Sequence, residues 1–199
     1  MPITTADMMM SLDGYTAGLN QTRERPFGDG PVEELERWMF EGVADNQAEV
    51  DAVVGAQAYI MGRKMFSPER APFDPDWIGW WGEEPAYRAP VFVLCSSERE
   101  AIELTGTTLH FVTGGIHEAH ERATAAAGPD GRIDIAGGAT TVNEYLRAGL
   151  IDELRVHVSP VILGSGTRLF EGMAPTLLEQ VNGRTSPQAT HITYRVRRS

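Results

Sequence analysis

Residues 132–170 set out a strand, a glycine pair, a helix, a second strand and a glycine-rich loop in one continuous run, and few folds accept that order. Ile133, Ile135 and their neighbours read as a buried strand that meets Gly137-Gly138 at once. From Ala139 to Leu146 the spacing predicts a helix, with Val142, Tyr145 and Leu146 on one side and Gly149 as its stop. Asp152 to Ser159 then alternates strictly, Leu154, Val156 and Val158 against Arg155, His157 and Ser159, before Pro160 ends the run. His157 is expected on a strand face open to solvent or a partner. A glycine pair between strand end and helix start lets backbone N–H groups approach a ligand, and the helix N-terminus adds partial positive charge. Phosphate suits such a place. A simple tight turn suits it too, and spacing alone leaves both readings open.

Upstream, strand-like and helical runs keep alternating. Thr4 to Met10 predicts a first strand, turned by Asp13-Gly14, and residues 20–31 form a polar Gly/Pro-rich loop. Glu33 to Phe40 follows as a helix, with Pro31 just ahead and acids in its first turn. Ala48 to Ala56 is a second helix, Tyr59-Ile60-Met61 a short buried strand, and Gly62 to Phe66 the start of another short helix. Residues 67–90 hold five prolines and three tryptophans, which excludes long regular structure there. Val91 to Cys95 and Leu109 to Val112 are apolar strands, and Ile116 to Ala127 is a helix ended by Gly128-Pro129. Two last strands, Thr176 to Arg184 and Ala189 to Arg197, flank a turn at Ser186-Pro187. Short apolar strands between helices imply an α/β fold. Its mostly parallel central sheet would be flanked by helices, with an antiparallel C-terminal hairpin at one edge. No composition shift or repeat divides the chain, so residues 1–199 are read as a single domain with a Pro/Trp-rich insertion around 67–90.

The 199 residues carry 17 basic and 28 acidic side chains, a formal net charge of −11, and no run of Lys or Arg. Long-range repulsion therefore argues against nucleic acid or an anionic membrane as partner. The single cysteine, Cys95, excludes an intrachain disulfide and a cysteine-based zinc site, and suits a reducing cytoplasm. Residues 1–7 lack the basic start and apolar run of a signal peptide, and no window is apolar enough to span a bilayer. His117, His120 and Glu121 share a helix, but no third ligand accompanies the histidines, so no metal site is expected. A soluble, cytoplasmic protein acting on a small molecule is the expectation.

Ligands of open α/β sheets gather outside the carboxyl ends of the strands. Four segments end strands here with anion-friendly chemistry: Gly62-Arg63-Lys64, Ser96-Ser97-Glu98-Arg99, Thr113-Gly114-Gly115 and Gly137-Gly138. Arg63 and Lys64 stand at a helix start, where the dipole repels cations and an anion would compensate. Ser96 and Ser97 offer hydroxyls, and Arg99 a planar donor fork. Taken singly, each is also an ordinary turn; together they point to a dinucleotide with several phosphates.

With these segments in view, the chain resembles the dihydrofolate reductase-like superfamily, and within it the reductase domain of riboflavin biosynthesis. The resemblance is carried by Met10-Ser11-Leu12-Asp13-Gly14, Met61-Gly62-Arg63-Lys64, Leu94-Cys95-Ser96-Ser97, Ile135-Ala136-Gly137-Gly138-Ala139, and Leu150-Ile151-Asp152-Glu153-Leu154 running into Pro160 to Gly166. It implies NADPH as hydride donor and a homodimer. It places Gly62, Arg63 and Lys64 beside the phosphates, Ser96 and Ser97 at the 2′-phosphate, Gly137, Gly138, Ala139 and Thr140 at the pyrophosphate, and Thr113 and Gly114 toward adenine. There are departures. Met65 stands where a dihydrofolate reductase usually has Thr, and Asp7 where riboflavin reductases usually have Lys. The riboflavin reductases' Gly-x-Gly-Thr…Asp-x-Pro segment is missing. The cofactor half of the pattern is kept and the substrate half rewritten.

For the substrate half, Asp13 is the expected proton-relaying or orienting group, although Asp-Gly is also a common tight turn. Glu34, with Glu33, sits at a helix start as the substrate-binding acid of dihydrofolate reductase does, or simply complements the dipole. Ser11, Trp77 and Trp81 are expected at the substrate. Trp77, Trp80 and Trp81, with Phe73 and Tyr87, either form an aromatic wall over a planar ring or pack their own segment onto the sheet. Asp7, Asp13, Glu33 and Glu34 converging on one pocket would favour a neutral or cationic planar substrate. The expected activity is NADPH-dependent reduction of a pterin- or pyrimidine-like molecule. The alternatives are 5-amino-6-(5-phosphoribosylamino)uracil reduction, or a catalytically silent nucleotide-binding protein of the same fold.

Overall fold

A computed structural model describes residues 1–68 and 74–197. The chain opens with β1 (Ile3–Ser11), β2 (Tyr15–Ala17), α1 (Glu33–Phe40) and α2 (Val43–Val54). Next come β3 (Ala58–Gly62), α3 (Arg63–Phe66), β4 (Val91–Leu94), β5 (Ile102–Leu104), β6 (Thr107–Val112) and α4 (Gly115–Ala127). The last third holds β7 (Arg132–Ile135), α5 (Ala139–Arg147), β8 (Glu153–Ser159), β9 (Thr167–Arg168), β10 (Leu178–Thr185) and β11 (Thr190–Val196).

Nine strands share one sheet in the order β10-β11-β8-β1-β7-β3-β4-β6-β5, while β2 and β9 pair separately. The six inner strands run parallel, from β8 through β1, β7, β3 and β4 to β6. Their apolar runs, Val91-Phe92-Val93 for instance, suit burial on both faces, as parallel strands require. Both edges are antiparallel. The C-terminal hairpin is the expected one; at the far edge β5 folds back on β6. Three residues with one apolar neighbour on either side of Glu103 leave too short a pattern for sequence to reveal that strand.

The two faces of the sheet differ. On one, Ala6, Met8, Ile133, Ile135, Leu154 and Val156 meet α4 and α5 in a continuous apolar core with Tyr145 and Val142. Each fully buried aliphatic or aromatic side chain there contributes roughly 1.5–3 kcal/mol. On the other, Tyr59, Met61, Val91, Val93, Phe66 and Tyr87 form a second apolar cluster, and the rest of that face, under α1 and α2, is polar. His157 lies there, only 3% exposed, with the ring of Trp38 at 4.4 Å. The expectation of a solvent-facing His157 is thereby overturned: both faces of β8 are covered, so alternation separates two interiors. Asn46, also buried, leaves helical geometry inside α2 because its amide donates to Gly42 O (2.7 Å) and Trp38 O (3.3 Å). That interruption hides the true start of α2 at Val43. Among the described residues no helix is long and apolar enough to cross a membrane.

Candidate functional site

Strand length makes the cavity. β7 has four residues and pairs with β1 only from Ile3 to Thr5, whereas β1 runs on to Ser11 with β8 along its other side. Beyond Ile135 the chain turns away, leaving a gap between the outer half of β1 and the end of β3. The gap is a cavity of about 320 Å³. One wall is Gly62 to Met65, the floor is Asp7 to Met9, and the third side is Ala136 to Thr141. Thr16 and Ala17 of β2, Thr167 of β9, and Gln21 and Phe27 of the loop after β2 close it from the opposite side.

The glycine pair is shaped for close approach. Gly137 has φ +105°, a value that L side chains rarely adopt, and the Gly137–Gly138 peptide bond is cis. Gly137 O accepts a hydrogen bond from Gly62 N at 2.7 Å, tying the ends of β3 and β7. Gly62 is closely packed: a Cβ there would lie 2.3 Å from Thr141 Oγ1, so that buried hydroxyl would have to turn away. A Cβ on Gly138, by contrast, would meet nothing within 4 Å. Gly138 is the N-cap of α5, and no side chain caps that helix, so its first N–H groups are left for water or a ligand. Arg63 and Lys64 line the same cavity, and Arg63 Nη1 also donates to Ser67 O at 3.2 Å. Among the described residues they are its only cationic lining side chains. Because α3 is a single turn, dipole repulsion explains little about them. The donor set fits a pyrophosphate: uncapped helix N–H groups, a backbone with room before it, and two cations at the rim.

Of the expected cofactor residues, Gly62, Arg63, Lys64, Gly137, Gly138, Ala139 and Thr140 are thus brought together. Ser96, Ser97, Thr113 and Gly114 lie apart, at the adjacent ends of β4 and β6, which are joined by Cys95 N to Val112 O at 3.0 Å. There the Glu118 carboxylate folds back over Gly114, where a Cβ would lie 1.9 Å from Oε2. Arg99 does not offer its fork to a phosphate. It donates to Trp77 O (2.8 Å) and Pro75 O (3.1 Å) and lies over the Phe66 and Phe111 rings.

The expected substrate residues do not line the cavity. Asp13 Oδ1 accepts from Ser11 Oγ (2.6 Å) and Leu163 N (3.1 Å), and Oδ2 accepts from Gly164 N (2.8 Å). The Ser11 hydroxyl first, then those amides, hold its carboxyl down to about 2. So placed, Asp13 clamps the turn after β1 to the 160–166 loop. Ser11 is fully buried, giving its proton to Asp13 and accepting from Tyr15 N at 2.9 Å. Glu34 pairs with Arg37 on the α1 surface at 3.1 Å. Trp77 donates Nε1–H to Phe66 O (2.8 Å) and packs edge-on against Trp80, while Trp81 stacks on Phe40 at 6.1 Å. These three rings pack their segment onto the second apolar cluster, the blander of the two readings; Phe73 lies outside the described residues. Nor do the four carboxylates converge, because Asp7 turns its side chain beneath the sheet, only 3% exposed.

What sequence reasoning missed is Phe27, Gln21 and Met9. Phe27 is the sole aromatic residue between Leu19 and Pro31. Its loop closes on itself through Gly18 N to Phe27 O (2.8 Å) and Asp29 N to Leu19 O (2.7 Å). Arg23 then latches it to Asp74 (2.8 Å) and lies over the Trp77 ring. A lone aromatic between Pro26 and Gly28 was the available signal.

Fold and site together define an α/β protein with a glycine turn and an uncapped helix N-terminus on a cavity at the carboxyl ends of its strands. The chain belongs to the family of the RibD C-terminal domain, whose model matches residues 2–192. The uncharacterized Bacillus subtilis (strain 168) protein YyaP is 25% identical over 192 residues, 90% of this chain and 86% of YyaP. A Shewanella sp. PV-4 protein assigned to riboflavin biosynthesis superposes with a TM-score of 0.67 at 22% identity, over 98% of this chain and 99% of that one. A Thermotoga maritima diaminohydroxyphosphoribosylaminopyrimidine deaminase/5-amino-6-(5-phosphoribosylamino)uracil reductase gives 0.63 at 17%, over 98% and 56%. An Enterococcus faecalis dihydrofolate reductase complexed with NADP(H) gives 0.56 at 14%, over 98% and 96%. At these identities the likeness fixes the fold, which is that of the dihydrofolate reductases, and nothing finer.

Proposed function

We propose that the protein is an NADPH-dependent reductase of a small, planar, uncharged heterocycle, working as one reductase-like unit. The observation that carries this reading is the uncapped α5 N-terminus behind Gly137-Gly138, with Arg63 and Lys64 on the same cavity. Gly137, Gly138, Ala139 and Thr140 would hold the pyrophosphate with Arg63 and Lys64, and Ser96 and Ser97 would reach the adenosine end. When bound, the cofactor supplies the hydride. The chain's own part is binding and orientation: Phe27, Met9 and Met65 offer apolar faces to a ring, and Gln21 and Thr16 polar edges. The family match favours a second reading, reduction of a phosphoribosylaminouracil. Against it, among the described residues no cation beyond Arg63 and Lys64 lines the cavity, and Asp7 replaces the expected Lys. β10, exposed along most of its length with Leu178 and Val181 outward and Leu177 exposed just before it, is our choice for self-association, which light scattering would test.

NADPH oxidation measured against pterins, flavin precursors and quinones tests the function. Turnover of an uncharged ring supports the first reading, and turnover of the phosphoribosyl compound alone supports the second. Tight NADPH binding with no oxidation across the panel would leave a nucleotide-binding protein without turnover.

A further inference from the structure

Directly beneath the cavity floor runs a line of buried polar side chains that the proposed reaction does not use. Asp7 Oδ1 lies 3.3 Å from His157 Nε2; His157 Nδ1 lies 2.7 Å from His191 Nδ1; His191 Nε2 lies 2.8 Å from Asn46 Oδ1. His157 and His191 are 3% and 5% exposed, and the side chain of Asp7 is 3% exposed. As a whole residue Asp7 is less buried than its side chain, so what it presents to the cavity is main chain.

The protons in this line can be counted from its far end. Asn46 Nδ2 points at the Gly42 and Trp38 carbonyls, and Oδ1 receives Arg184 Nη2 at 3.3 Å, so the amide orientation is fixed twice over. An oxygen that accepts demands a proton on His191 Nε2. A neutral His191 then has a bare Nδ1, and the 2.7 Å contact between the two Nδ1 atoms needs one proton, which must sit on His157. His157 Nε2 in turn faces Asp7 Oδ1. With Asp7 ionised, that contact needs a second proton on the same ring.

The surroundings keep Asp7 ionised. From β8, Arg155 Nη1 approaches it at 3.4 Å, itself paired with Glu153; from β7, Arg132 Nη1 lies at 3.9 Å. Neighbouring Asp134 takes the Thr5 hydroxyl at 2.7 Å, and burial beside the Asp7 charge drives its carboxyl well up, toward the neutral form. Burial pushes Asp7 up as well, but its bonds to His157 and the Arg155 charge outweigh this and hold it below the ordinary carboxylate range. His191, facing Glu49 of α2 and Arg184 of β10, is pushed down to about 4, chiefly by burial. α1 contributes the uncharged ring of Trp38, tilted over His157 at 4.4 Å.

We propose that His157 carries protons on both ring nitrogens at neutral pH, and that this buried doubly protonated ring fixes the stretch of β1 that floors the cavity. The link to the floor is covalent and short. Asp7 anchors the site, Met8 and Met9 are its chain neighbours, and Met9 pairs in register with His157 itself. Losing the proton leaves two acceptors, Nε2 and Oδ1, facing each other at 3.3 Å, and either the side chain or β1 must move. The proposal does not depend on which ligand the cavity takes.

Long-range proton–nitrogen spectra of the isotopically labelled, ligand-free protein test it. At pH 7, His157 should show two ring N–H groups and His191 one; in Asp7→Asn, His157 should fall to one, because an amide can donate to Nε2. A neutral His157 in the unaltered protein overturns the proposal even where the variant fails to fold, as does a doubly protonated His157 in a folded Asp7→Asn. Comparing His157→Gln with the unaltered protein addresses the floor: the amides of Met8, Met9 and Gly138 should shift. Changes confined to α1 and β11, with those three amides still, refute the coupling. If His157→Gln does not fold, raising the pH on the unaltered protein decides the same point: those amides must move wherever the His157 ring loses its proton, or hold to the highest pH at which it keeps it. Movement with any other midpoint refutes it.

Discussion

Gly114-Gly115 and Gly137-Gly138 look alike in sequence, each a glycine pair between a parallel strand and a helix, yet the fold makes different things of them. The first is exposed at the end of β6, and its helix brings its own acid, Glu118, back over Gly114. The second lies deeper, where short β7 leaves a gap beside β1; α5 carries no acid in its first turn. What separates them is depth and the charge already present. On the function proposed above, a glycine turn can take an anion where neighbouring strands outrun its own and no carboxylate from its helix occupies the place first.

The sharpest way to break this contrast is to put the same carboxylate at both turns. Gly138→Glu should weaken NADPH about 100-fold, roughly 2.7 kcal/mol, whereas Gly114→Glu should change affinity less than about threefold. Equal losses by calorimetry would mean the two turns serve the ligand alike. Next in size is Arg63→Ala. One charge-assisted contact is worth about 1.5–3 kcal/mol, so NADPH should bind about 10- to 100-fold more weakly. NADH should lose less if Arg63 also reaches the third phosphate.

Asp13→Asn sharpens the comparison by testing a group that frames the cavity without entering it. NADPH affinity should stay within about threefold while the urea midpoint falls. The Asp13 carboxyl is depressed to about 2 in the folded chain, below the ordinary aspartate value near 4. Its stabilisation is therefore full above about pH 4 and lost as pH drops toward 2. The variant's deficit should shrink over that window, and a deficit that persists at pH 2 would count against the assignment. The smallest effect belongs to Glu118→Gln. A carboxylate at a helix N-terminus is worth about 0.3–1 kcal/mol, so the melting temperature should drop by no more than about 2–4 °C. A larger fall would show Glu118 holding more than the α4 turn.

Sequence alone makes much of this fold readable, because both apolar periods are strong. The alternation around Val156 and the apolar run at Val91 belong to strands that tertiary packing then confirms. Elements decided by non-local contacts are harder. β5 exists because β6 offers an edge, and α2 starts early because buried Asn46 bonds back to Gly42 and Trp38. The same division holds at the site. Gly62, Arg63, Gly137 and Gly138 come together because strand ends in a parallel sheet must. Asp13, Glu34, Trp77 and Trp81 lie off the cavity lining, because residue type does not say where a side chain points. His157 looked exposed because alternation marks two faces without saying that both are covered.

The place of β1 in the sheet governs how the chain can be made. Thr5 bonds to Asp134, 129 residues further on, and β1 has no strand partner in the main sheet before β7. At about 5–20 residues per second, the run Met8-Met9-Met10 would wait on the order of ten seconds after leaving the ribosome before either neighbour is synthesised. A chain cut short before β8 would therefore keep β3, β4 and β6 together and leave the strand that should floor the cavity with an open side.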